Sequence, residues 1–168
     1  MQMSVDGFVA GPAGQLDWMT WDIDDQLKSF INELHEDVDL ILLGRKMSGG
    51  FTSHWENMLP ENPDNWLAKK MVDTSKIIFT KTLDKAVCKN TSLAKGNLVD
   101  EITKLKKQDG KDIIVYGGAS FVASLIEENL VDEFNLFINP AAIGEGMRIF
   151  SGETKLMLTK SWEYECGV

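Results

Sequence analysis

Asp112-Ile113-Ile114-Val115-Tyr116-Gly117-Gly118-Ala119-Ser120 is the stretch on which the reading of this sequence turns. Its apolar run suits a buried strand, its glycine pair a tight exit, and residues 119–129 a helix. Working outward, a second and nearly continuous apolar run at 38–43 ends at Gly44 and suits a strand covered on both faces. Residues 76–80 read as another strand, and 86–88 as a small one. Residues 131–138 alternate after their start, and 156–165 read as a closing strand.

Helices separate these runs. Asp24 or Asp25 can cap one that runs to about His35, with Leu27, Phe30, Ile31 and Leu34 on its buried face. Residues 66–72 suit a short helix. Asn97 can cap another, whose Leu98, Ile102 and Leu105 form an apolar stripe while Lys104, Lys106 and Lys107 face solvent, with Gly110 as its stop. The alternation predicts an α/β fold with a largely parallel sheet flanked by helices. The most linker-like stretch, 59–65, is too short to separate domains, so residues 1–168 are expected to form one domain. Both ends of the chain read as strands cut short.

Composition narrows the function. With 43% hydrophobic and 26% charged residues the chain is neither disordered nor membrane-spanning. A formal charge of −9 disfavours nucleic acid and anionic membranes as partners. Cys88 and Cys166 form no C-x-x-C pair, which argues against structural zinc and a disulfide framework, and a cytoplasmic location is expected. The sequence has no G-x-G-x-x-G, Walker loop, H-E-x-x-H or G-x-S-x-G. His35 and His54 lack spaced partners for a metal or a triad.

Parallel sheets collect ligands at the carboxyl ends of their strands. Gly44-Arg45-Lys46, Thr80-Lys81-Thr82 and Gly117-Gly118 each follow an expected strand there. A glycine pair opening a helix lets a phosphate reach backbone amides, though it equally serves a tight turn. Arg45 offers a planar fork and Lys46 a point charge for an anion; an ordinary solvated pair is the alternative. The opening Asp6-Gly7-Phe8-Val9-Ala10-Gly11-Pro12, followed by Asp17-Trp18-Met19, suits a glycine-rich loop with apolar bulk that closes over a ligand. Asp6 is either a substrate contact or a turn-capping side chain.

Six segments in order resemble the dihydrofolate reductase-like family, and within it the reductase domain of bacterial riboflavin biosynthesis. They span residues 3–12, 16–19, 42–46, 78–83, 114–120 and 139–146. The resemblance implies a three-layer fold with a mixed, mainly parallel sheet and NADPH lying across its strand ends. Gly117, Gly118, Ala119 and Ser120 match the diphosphate turn; Gly44, Arg45 and Lys46 match the turn at the adenosine 2′-phosphate. Thr80 and Lys81 match the loop beside the adenosine, Ala10 and Leu16 the mobile loop over the nicotinamide, and Asp6 a pocket position facing substrate.

Two departures narrow the match. Gln26 stands where folate reductases carry an acidic residue, and the zinc-binding deaminase half of full riboflavin-pathway enzymes is missing. The expected activity is hydride transfer from NADPH to a small heterocyclic or carbonyl substrate, without a metal. A non-catalytic nucleotide-binding module of the same fold is the alternative, and related domains commonly form homodimers.

Overall fold

A computed structural model describes residues 1–86 and 88–168, so the middle of the strand expected at 86–88 lies outside the described residues. In chain order the first elements are β1 (Gln2–Ser4), α1 (Asp25–Glu36), β2 (Val38–Gly44), α2 (Arg45–Glu61), α3 (Trp66–Asp73) and β3 (Ser75–Phe79). There follow β4 (Thr91–Ala94), α4 (Leu98–Lys106), β5 (Asp112–Gly117), α5 (Ala119–Glu127) and β6 (Phe137–Asn139). Two compact units emerge, Asn32–Phe121 and the pair of segments Met1–Ile31 and Val122–Val168.

In the Asn32–Phe121 unit a parallel sheet runs in the order β4-β3-β2-β5. Ile41, Leu42 and Leu43 are all at most 2% exposed. Successive strand side chains point to opposite faces, so β2 is covered on both, as its apolar run predicts. Val38, Ile41, Leu43, Phe51, Met71 and Ile78 form one core cluster.

Helix α2 was not legible in the sequence, and the expected linker at 59–65 is partly its last turn. It carries Gly49, Gly50 and Pro60, all poor helix formers. Burial of Ser48, Phe51 and Thr52 holds it instead. The Ser48 hydroxyl donates to the Arg45 carbonyl at 2.9 Å, and the Thr52 hydroxyl to that of Ser48 at 2.8 Å.

Caps set the other helices. The Asn65 side chain accepts from Ala68 N at 2.9 Å, and Asn97 accepts from Val99 N and Asp100 N, as expected. Helix α4 nevertheless ends at Lys106, short of Gly110: Lys107 N and Gln108 N fold back onto Lys104 O and Leu105 O, which tightens the last turn. On β3, Lys76 is 2% exposed. Its ammonium donates to Val72 O at 2.9 Å and Thr74 O at 2.7 Å, closing the end of α3. Burial holds its pKa below the usual lysine value.

In the other unit β1 and β6 pair in parallel, Gln2 with Phe137 through Ser4 with Asn139. The antiparallel component is a bridge between Ala10 and Met147. Asn139 is fully buried. Its amide nitrogen donates to Gln2 Oε1 at 2.6 Å and Phe137 O at 3.1 Å, while its oxygen accepts from Thr20 N at 2.7 Å. Asp24 proves to be the cap of α1, accepting from Leu27 N at 2.8 Å and also from Cys166 N at 3.0 Å.

The strand expected at 131–138 contracts to β6. None forms at 156–165, where Leu156, Met157 and Leu158 are 51%, 84% and 82% exposed. Residues there join no ladder; the segment is anchored instead by Trp162 and Tyr164, whose rings lie 4.8 and 6.4 Å from that of Phe30.

Replacing Ile41 by Ala should destabilise the protein by about 2–5 kcal/mol in denaturant titrations, because the cavity opens in the central strand. Gly50→Ala should have the opposite sign. A Cβ there meets nothing within 4 Å, so the substitution should add about 0.5–1 kcal/mol to stability in the same titration.

Candidate functional site

The sheet order makes neighbours of the turns singled out in the sequence. Gly44 pairs with Phe79 on one side of β2, and Leu43 with Gly117 on the other. Thr80, Arg45 and Gly118 therefore leave adjacent parallel strands at the same rim. Gly44 makes the junction tight: a Cβ on it would lie 2.8 Å from Phe121 Cβ and 3.1 Å from Gly118 N. Beside it, the rings of Phe79 and Phe121 stack at 4.9 Å.

Two helices start at this rim. Arg45 opens α2 and Ala119 opens α5, and neither first turn contains an acidic residue. Gly44 gives α2 no side-chain cap. Helix starts carry unsatisfied N–H groups and partial positive charge, which favour an anion. Arg45 and Lys46 are exposed and, among the described residues, form no ion pair or side-chain hydrogen bond. In a chain of charge −9 this is a local concentration of positive potential.

The Gly117–Gly118 peptide is cis, and Gly117 has φ +134°, a conformation that favours glycine. Phe121 N donates to Gly118 O at 2.9 Å as α5 begins. Together the residues fit an anionic nucleotide: amides at two helix starts, a guanidinium, an ammonium, and a turn whose backbone carries no Cβ.

Two of the expected contacts are already engaged. Thr80 is buried, and its hydroxyl oxygen accepts from Thr82 N at 3.1 Å and Leu83 N at 3.0 Å, shaping its own turn. Lys81 donates to Lys95 O at 2.7 Å and Gly96 O at 2.6 Å, which braces the ends of β3 and β4. An ammonium has three donors, so one remains for a ligand. Met47, in the same turn as Arg45 and Lys46, was passed over because a methionine reads as core.

Asp6, Ala10 and Leu16 belong to the other unit. Asp6 accepts from Ser4 Oγ at 2.7 Å, Gly144 N at 2.7 Å and Ile143 N at 3.1 Å. The Ser4 hydroxyl, then the Gly144 amide, hold its carboxyl below the ordinary aspartate range. The geometry is that of the turn-capping alternative, tying the end of β1 to the loop after β6. Ala10 is buried in its bridge with Met147, whereas Leu16 is 40% exposed. Between them and Thr20 the chain bonds to itself, Gly11 N to Gln15 O, Gly14 N to Gly11 O and Met19 N to Leu16 O. Asn139 anchors the far end through Thr20 N, a role no sequence signal announced.

Comparison with known proteins agrees with this architecture. The uncharacterized Bacillus subtilis protein YyaP is 35% identical over 154 residues, covering 89% of this chain and 77% of the relative. YwjB, also uncharacterized and from B. subtilis, is 25% identical, covering 93% and 84%. A crystal structure described as a riboflavin biosynthesis protein from Shewanella sp. PV-4 matches with a TM-score of 0.66 at 22% identity, over 95% of this chain and 84% of that one. A Thermotoga maritima diaminohydroxyphosphoribosylaminopyrimidine deaminase/5-amino-6-(5-phosphoribosylamino)uracil reductase matches with a TM-score of 0.57 at 16% identity, over 95% of this chain and 49% of that one. The model of the RibD C-terminal domain covers residues 1–168. With its parallel sheets flanked by helices, the chain belongs to the RibD C-terminal domain family and has the dihydrofolate reductase-like fold.

Proposed function

We propose that this chain is a cytoplasmic, homodimeric NADPH-dependent reductase that transfers a hydride to a small heterocyclic or carbonyl substrate, of the class handled by the uracil reductases of riboflavin biosynthesis. One observation carries the reading: Gly44-Arg45-Lys46, Thr80-Lys81 and the Gly117–Ser120 turn are side by side on one strand-end rim, at two helix starts free of acidic side chains. When bound, NADPH supplies the hydride itself. The chain's work is to hold and orient: the amides of Gly118, Ala119 and Ser120 receive the diphosphate, and Arg45 with Lys46 receives the 2′-phosphate. Thr80 shapes the adenosine loop, with Lys81 bracing it. In the other unit, Ala10 and Leu16 bound the loop that excludes water from the nicotinamide.

A specific observation favours a second reading, nucleotide binding without turnover. The carboxyl oxygens of Asp6 already accept hydrogen bonds from Ser4, Ile143 and Gly144, and the rim from Gly44 to Lys46 and from Gly117 to Ser120 carries no acidic side chain or histidine to deliver a proton. Loss of reduced-cofactor absorbance on adding pyrimidine, pterin or carbonyl substrates supports the reductase; binding with no such loss supports the module.

Calorimetric titration should give tighter binding of NADPH than NADH. Arg45→Ala should weaken NADPH about tenfold, ~1.4 kcal/mol, and leave NADH unchanged. Equal affinity of the native protein for both cofactors would sink the assignment.

Asp6 gives a pH test. Its folded pKa lies below the ordinary value of 3.8, so its stabilisation is present above pH 3.8 and is lost as pH falls through the folded value. Asp6→Asn should therefore lower stability near neutral pH and flatten the loss of stability on acidification. A raised KM with an unchanged acid profile would instead assign Asp6 to substrate.

A further inference from the structure

Both glycines of the Gly117–Gly118 turn present their open faces to one side chain. A Cβ on Gly117 would come 2.9 Å from Met47 Sδ, and one on Gly118 would come 3.7 Å from Met47 Cβ. Met47 lies in the first turn of α2, directly after Arg45 and Lys46, and is half-buried against the cluster of Val38, Ile41 and Leu43. The space that two missing Cβ atoms create is thus covered by a thioether.

We infer that Met47 is the gate of this turn: its side chain covers the glycine pair in the nucleotide-free protein and must swing aside for a phosphate to reach the amides. The inference rests on the reading of that turn as the diphosphate site. A phosphate oxygen needs about 2.7–3.2 Å to a backbone nitrogen, and a thioether has no proton to offer the incoming anion. Methionine suits a gate: it is unbranched with three rotatable side-chain bonds, so it leaves by torsion alone without moving the helix that carries Arg45 and Lys46. The turn therefore stays dry and packed until a ligand displaces the side chain.

Opening the gate by truncation separates this role from simple packing. Met47→Ala loses core contact and should melt at a lower temperature without nucleotide, yet its Kd for NADPH should fall about threefold or more, with a larger NADPH-induced rise in melting temperature. Met47→Leu keeps the bulk but branches it, and should bind NADPH no more tightly than the native protein. Native affinity for NADPH with equal or weaker binding by a folded Met47→Ala would overturn the gate and leave the nucleotide site standing. Absence of NADPH binding in both proteins would overturn the site, and the gate with it.

A measurement on the native chain covers the case in which Met47→Ala does not fold. With methyl-labelled methionine, the Met47 methyl resonance, assigned by its absence in Met47→Leu, should move on saturation with NADPH. A resonance that stays fixed while NADPH binds refutes the gate.

Discussion

The space between Gly44 and Gly118 N admits a hydrogen on the α-carbon and nothing larger. That contact is where the β2–α2 and β5–α5 connections meet, and the candidate rim depends on it. A side chain at position 44 would have to displace Phe121 Cβ, the first apolar atom of the residue that stacks on Phe79. Separated connections would divide the amides of α5 from the cations of α2. The close approach rests in turn on β2, whose Ile41, Leu42 and Leu43 are buried on both faces and pair to β3 and β5.

Charge explains why the cradle is built of backbone as much as side chains. With 26 acidic residues against 17 Lys and Arg, a broad basic surface is out of reach. Two adjacent helix starts concentrate positive potential without adding any formal charge. Arg45 and Lys46 then add formal charge where no carboxylate in the first turn of α2 offsets it.

What the sequence made legible were features written locally. Continuous apolar runs identify β2, β3 and β5; Asn97 and Asp24 identify their helices by offering side-chain oxygens to free amides. Gly44, Arg45, Gly117 and Gly118 were legible because glycine and adjacent cations stand out after apolar runs. Helix α2 was not, since tertiary burial of Phe51 overrides Gly49, Gly50 and Pro60. The closing strand failed for the opposite reason: alternation can propose a strand, but only a neighbouring ladder makes one. Contacts between residues far apart in sequence, such as Asp6 with Gly144 or Asn139 with Thr20, leave no local pattern to read.

Asn139 has a consequence for how this scaffold can change. One amide group, wholly shielded from solvent, serves the β1–β6 pair through Gln2 and Phe137 and the end of the 11–19 segment through Thr20. Evolution or engineering can lengthen, shorten or rewrite that segment freely as long as position 20 still offers its N–H to the same oxygen. A proline at position 20 would do harm well beyond the segment itself, stranding a carbonyl oxygen in the dry interior and loosening the grip on both strands. Substrate-range diversification by loop exchange is therefore confined to what lies between two fixed ends, and the boundary is drawn by a residue outside the loop.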